Sequence, residues 1–197
     1  MYDNALIAAK LRRWDTYLAK YRLPDWDAIP DIGLYMEQVV TVLKQYLDYL
    51  PPELKDEQFI TASTINNYVR TKVMPMPVKK KYYRTHLAYL IMICSLKQGL
   101  SISLIQRLIP SDLPEAELKK VYSAYAERHR LATRYFADQV REAAAPFLGH
   151  GDSPSPMVTD RPEDMIAASA VVGAFGRLFA EKLLLLEGKS MADEESI

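Results

Sequence analysis

Apolar residues recur every three or four positions through most of this chain, the spacing that gathers them on one face of an α-helix. Over residues 3–22 they fall at Leu6, Ile7, Leu11, Trp14, Tyr17, Leu18 and Tyr21, and Pro24 ends the run. Residues 24–30 read as a linker around Trp26. Asp31 is placed to cap a second helix over 32–49, whose apolar positions include Leu34, Met36, Val39, Val40, Leu43, Tyr46 and Leu47, with Pro51-Pro52 beyond it. Thr61 or Ser63 can cap a short third helix that reaches about Lys72. Pro75 and Pro77 stop it and stiffen the basic loop that follows. A fourth helix starts near Arg84 or Thr85, carries Leu87, Leu90, Ile91, Ile93, Cys94 and Leu96, and ends at Gly99. Ser101 or Ser103 caps a fifth, ending at Ile109. A long helix is predicted over 114–145, striped by Leu118, Val121, Tyr122, Tyr125, Ala132, Tyr135, Phe136 and Val140. Residues 146–162, rich in Gly, Pro and Ser, predict a loop, 163–187 a last apolar helix, and 189–197 a frayed acidic tail.

Composition agrees with a helical protein. Only 7 of 197 residues are glycine, few for a fold built on tight β-turns or a glycine-rich phosphate loop. A single cysteine excludes an intrachain disulfide framework and a cysteine-based zinc site. Lys10, Arg12, Arg13 and Asp15 interrupt the first apolar run, unlike a secretory leader. The longest charge-free, strongly apolar stretch near the C-terminus, residues 165–176, is shorter than the roughly 20 residues that span a bilayer. The expectation is a cytoplasmic protein with no membrane partner.

Charge changes the picture more. Lys plus Arg and Asp plus Glu number 25 each, yet residues 58–111 contain no acid at all. The average acid frequency would put about seven there. The same segment holds Arg70, Lys72, Lys79, Lys80, Lys81, Arg84, Lys97 and Arg107, leaving the rest of the chain at −8. A basic face on a neutral protein suits a polyanionic partner. A solvated surface balanced by acidic neighbours in the fold is the plainer alternative.

The third helix lies inside that segment. Ile65, Tyr68 and Val69 share one face, and Thr64, Asn66, Asn67, Arg70 and Thr71 occupy the other. Asn and Thr are poor helix formers, so the exposed face is not built for helicity. Asn can pair with adenine in the major groove, Thr can meet a base edge or a thymine methyl, and Arg can reach guanine or phosphate. A polar surface helix with no partner would have the same composition.

Downstream residues extend the pattern. Thr64-Ile65-Asn66-Asn67-Tyr68, then Tyr82-Tyr83-Arg84 after the basic loop, then Gly99-Leu100-Ser101-Ile102-Ser103-Leu104-Ile105-Gln106-Arg107-Leu108-Ile109 follow in order. Together they resemble the MerR-type winged helix-turn-helix family: a Thr-Leu-Arg-Tyr-Tyr-like core, a wing ending in aromatics and arginine, and a Gly-Phe-Ser-Leu-x-x-Ile-x-x-Leu-Leu pattern. Asn66 stands where such proteins carry a phosphate-contacting arginine, Asn67 replaces the first tyrosine, and the wing has no glycine. Residues 31–39, Ile65-Asn66-Asn67-Tyr68-Val69 and residues 79–86 more closely resemble recurring segments of a bacterial family catalogued as domain of unknown function 1836. That likeness implies a helical fold and, through the MerR likeness, a transcriptional regulator.

The resulting expectation is an all-α protein: a winged helix-turn-helix-like module plus long C-terminal helices forming a helical bundle. Its parts are an N-terminal helix and linker (1–30), the helix-turn-helix module (31–112), a helical association region (113–188) and the tail (189–197). Thr64, Asn66, Asn67, Arg70, Lys72, Lys79, Lys80, Lys81, Tyr82, Tyr83 and Arg84 are the expected DNA-binding residues, with double-stranded DNA the partner. The apolar last helix must be buried, and a homodimer through the C-terminal helices would bury it while matching a two-fold operator. A protein-interaction adaptor whose basic face meets an acidic partner is the second reading. Catalysis finds little support: His86, His129 and His150 have no ligand-spaced companions, and Cys94 lies in the apolar run Ile91-Met92-Ile93 as a buried hydrophobe. The expectation is no enzyme activity, no metal and no cofactor; the sequence names no effector.

Overall fold

The computed structural model describes residues 4–47 and 60–148, together with Val172, Gly173 and Arg177. Among these residues the fold is helical, with paired extended backbone only as two isolated antiparallel bridges. The helices are α1 (Asn4–Lys20), α2 (Met36–Tyr46), α3 (Ala62–Arg70), α4 (Arg84–Leu96), α5 (Ile102–Leu108), α6 (Glu115–Ala143) and α7 (Ala145–Leu148). A single 3-10 turn, Trp26–Ala28, lies between α1 and α2.

α4 is the axis of the core. Every residue from Leu87 to Ile93 is fully buried, because α4 is apolar all round and meets α2 and α6 on different sides. Its Tyr89 hydroxyl donates to the Pro110 carbonyl at 3.0 Å and accepts from the Leu113 amide at 3.2 Å, fixing the turn that leads into α6. On α6, Tyr122 packs edge-on against Trp26, ring centroids 6.0 Å apart, and its hydroxyl donates to the Pro24 carbonyl at 2.7 Å. One apolar cluster therefore runs from Leu23 to Tyr122, across the lines drawn at residues 30/31 and 112/113. α1 lies along α6 and α7, joined by the 2.7 Å Arg141–Asp15 ion pair.

Several predicted helix ends hold: Thr61 caps α3 and Ser101 caps α5, their hydroxyls accepting from the Thr64 and Leu104 amides. The start of α2 does not. Asp31 is no cap; residues 31–35 are non-helical, and α2 begins behind Tyr35, whose amide donates to Gln38 Oε1 at 2.9 Å. The break exists because Leu34 is engaged elsewhere: its amide and carbonyl bond Tyr82 at 2.8 and 2.9 Å. Residues 146–148, expected to begin a loop, are instead helical in the short α7, where Pro146 occupies the first turn and its missing N–H is harmless; the rest of the predicted 146–162 loop lies outside the described residues. Most of the predicted 163–187 helix and the acidic tail lie outside the described residues.

Candidate functional site

α3 turns Ile65 and Tyr68 into the core and leaves Asn66 and Arg70 exposed, with Asn67 half-buried. Its end is closed by two backbone bonds, Val73 N–H to Tyr68 C=O at 3.0 Å and Lys72 N–H to Val69 C=O at 3.1 Å. That pairing requires a left-handed residue, normally glycine, at the position held here by Lys72, whose φ is 56°. Gln106 of α5 donates to the Thr71 carbonyl at 3.1 Å, bracing the same end.

A minimal hairpin follows. Val78 and Lys81 exchange backbone bonds of 2.9 and 3.0 Å around a two-residue turn, Lys79-Lys80, with φ of 50° and 64°. Such a turn favours Asn-Gly, because both residues must be left-handed. His86 ties the hairpin to α4: its Nδ1 accepts from the Tyr83 amide at 3.1 Å, so Nε2 carries the hydrogen and donates to the Met76 carbonyl at 3.0 Å.

Tyr82 faces inward with Leu34, and the neighbouring positions face outward. Lys81 crosses Gly33 and sets its ammonium 5.4 Å from the Tyr35 ring centre. A Cβ on Gly33 would lie 2.7 Å from Lys81 Cδ and 3.1 Å from the Tyr83 hydroxyl, so glycine is what allows the lysine to pass. Val78, opposite Lys81, and Met76 complete an exposed apolar surface at 54% and 77% accessibility.

The expected DNA-binding residues thus divide. Asn66, Arg70, Lys72, Lys79 and Lys80 are exposed, and Asn67 and Tyr83 are half-buried. Four play internal parts. Tyr82 is only 3% accessible, and burial raises the pKa of its hydroxyl, which removes it as a surface contact. Arg84 donates from Nε to the Ile29 carbonyl at 3.0 Å and lies 3.8 Å from Asp31, so it anchors the linker. Lys81 is laid over Tyr35 as described, and the Thr64 hydroxyl is shared with Thr61 at 2.8 Å inside the cap. Asn67 Oδ1 accepts from Arg70 at 2.8 Å, which engages one of its two lone pairs and orients the amide. Gly33, Tyr35 and Gln106 lie within the segments that carry the family resemblances, but their roles depend on remote partners, which no local pattern reveals.

The family described as Domain of unknown function (DUF1836) matches residues 24–126, just over half of the chain. The chain belongs to that family. No curated protein and no solved structure matches it. The DUF1836 span encloses every member of the apolar core cluster except Leu23.

The remaining chemistry of this DUF1836 protein is subdued. Burial pushes the Cys94 thiol up to about 12, far from a reactive thiolate. His129 is half-buried: its ring sits 6.0 Å from that of Tyr21 and 6.1 Å from that of Tyr125, and desolvation lowers its pKa. Tyr122, read as part of an association stripe, is an internal anchor, whereas Leu131 and Tyr135 of that helix are exposed. Among the described residues no group of His, Cys, Asp or Glu is placed to hold a metal ion, and no helix is long and apolar enough to cross a membrane.

Proposed function

We propose that this protein is a sequence-specific transcriptional regulator that binds duplex DNA as a homodimer in the cytoplasm. α3 is its recognition helix and the residue 78–81 hairpin its wing, in a MerR-like arrangement. One observation carries the reading. The non-glycine residues with positive φ among those described are Lys72, Lys79 and Lys80, all exposed and all within the acid-free segment. Left-handed backbone costs a residue other than glycine about 1–2 kcal/mol. Lysine holds three places where glycine or asparagine would be more stable, which favours a role for the charge itself. Each phosphate neutralised contributes about −0.9 to the slope of log affinity against log salt.

The test is the double variant Lys79→Asn/Lys80→Gly, which installs the preferred turn pair. It should raise the unfolding midpoint, weaken binding to mixed duplex DNA and flatten the salt slope by about 1.8. Sedimentation of the wild-type complex should give two chains per duplex. Unchanged affinity in the variant would defeat the assignment.

Ile32, Tyr35, Met76 and Val78, all more than half exposed around the hairpin, favour a second reading as a protein-interaction adaptor. Failure of the wild-type chain to bind any duplex at low salt would select it.

A further inference from the structure

We infer that the outer face of the hairpin is a docking surface for an acidic amphipathic helix of another protein, with Lys81 as the residue that receives its carboxylate. The inference adds a protein partner to the DNA-binding reading and does not depend on it.

Three short extended stretches lie side by side here. Leu34 and Tyr82 exchange both backbone bonds, and so do Val78 and Lys81. Side chains alternate across such stretches. Leu34 and Tyr82 are buried below, so Tyr35, Lys81 and Val78 stand on the opposite face, with Met76 two residues before Val78. Its apolar members are exposed, yet the surface is not loose. Pro75 and Pro77 restrict the backbone on either side of Met76, and His86 holds the Met76 carbonyl at 3.0 Å. A preformed apolar face loses little entropy on docking.

Lys81 sets the chemistry of the occupant. It is half-buried, its ammonium lies 5.4 Å from the Tyr35 ring centre, and it forms no ion pair among the described residues. Residues 58–111 supply no acid to it, and nearby Asp31 is turned to Arg84. A carboxylate that arrives flanked by apolar side chains excludes water from its contact with Lys81, where a charge pair counts for more than at an open surface. A second copy of this chain does not fit, because a two-fold pairing of this face would gather Lys79, Lys80 and Lys81 of both copies. A phosphate backbone offers charge but nothing apolar to cover Met76 and Val78; Lys79 and Lys80, at the turn, remain the phosphate contacts of the DNA reading. Nor does the occupant add as a strand. Pro77 has no N–H to give, and the Tyr35 N–H is already bonded to Gln38, so neither outer edge carries a ladder. It lies on the face as a helix, with apolar anchors at three- and four-residue spacing beside a Glu or Asp.

Selection on the full chain from an mRNA-displayed library of helical peptides, randomised along one face, tests this. Enriched peptides should carry Glu or Asp beside Leu, Met or Phe at that spacing. Their affinity should fall about tenfold in Met76→Ser and in Val78→Ser, whose folding is checked by circular dichroism and urea titration. Changing the peptide carboxylate to an amide should weaken binding to the wild type about tenfold and to Lys81→Met less than twofold. Failure to enrich any peptide, peptides without an acid, or equal binding to the wild type and these variants would overturn the inference. So would self-association of the wild type that Val78→Ser abolishes, which would give the face to a second copy. Binding to vesicles of phosphatidylserine and phosphatidylcholine that Met76→Ser abolishes would give it to a lipid surface and overturn the inference likewise. Duplex DNA enters none of these measurements, so the DNA reading and this inference fail separately.

Discussion

Lys72 closes α3 in a backbone region that glycine enters without penalty, and the two bonds that finish the helix depend on that conformation. Lys72→Gly should therefore stabilise the fold by about 1 kcal/mol in urea titration, while DNA binding loses about 0.9 from its salt slope. A stability loss would mean that the lysine stem packs, and an unchanged slope that its charge faces no phosphate. At this scale the sequence is legible where a residue acts on its near neighbours. Thr61 and Ser101 announce themselves as caps because each accepts from an amide three residues on. It is illegible where the partner is remote. Asp31 looks like a cap until Arg84 and the Ile29 carbonyl are brought beside it, and Tyr82 looks like a surface aromatic until Leu34 pairs with it. The Asn67–Arg70 bond is local, yet its effect on which atoms remain available follows only from seeing the amide oriented.

α5 follows directly from periodicity and Ser101; α4 follows from its continuous apolar run, but it stops at Leu96 with Lys97 in right-handed backbone as its cap, three residues before the Gly99 stop expected from sequence. α2 and α4 begin alike: a tyrosine precedes each, and its amide donates to a polar side chain three positions on, Gln38 in one and His86 in the other. Neither start resembles the Ser, Thr or Asp pattern that marks a helix from sequence, which is why α2 was expected four residues too early. The hairpin is hidden for a related reason, since Lys-Lys is an unfavourable occupant of its turn. Between elements, the Tyr89 hydroxyl joins α4 to the turn that launches α6. Tyr89→Phe should cost about 1 kcal/mol, because it removes two hydrogen bonds to part-buried backbone groups without removing packing. Equal urea midpoints for the two proteins would show that water already serves those groups.

Across the molecule, the family span and the apolar cluster describe the same unit, while α1, the second half of α6 and α7 form a flank beside it. His129 sits where that flank meets the core, between Tyr21 and Tyr125. Its folded pKa lies below the ordinary 6.5 because the charged ring is desolvated. The unfolded chain therefore takes up this proton first as pH falls, so the contribution is complete above about 6.5 and is lost on acidification. Urea midpoints at pH 7.5 and 5.5 should differ less in His129→Gln than in the wild type; an equal difference would place the acid sensitivity elsewhere.

The linker between α1 and α2 binds two helices through its backbone: the Pro24 carbonyl takes the Tyr122 hydroxyl and the Ile29 carbonyl takes Arg84, while Trp26 fills the space between. A fragment trimmed to start at Asp31 would keep α2 through α5 intact in sequence and still come unfastened. It would leave the Tyr122 phenol without its acceptor and the Arg84 guanidinium with Asp31 but not the Ile29 carbonyl, around a hollow the size of an indole, and would melt below the full chain. Any trimmed form that keeps these bonds has to begin ahead of α2, with the strap itself.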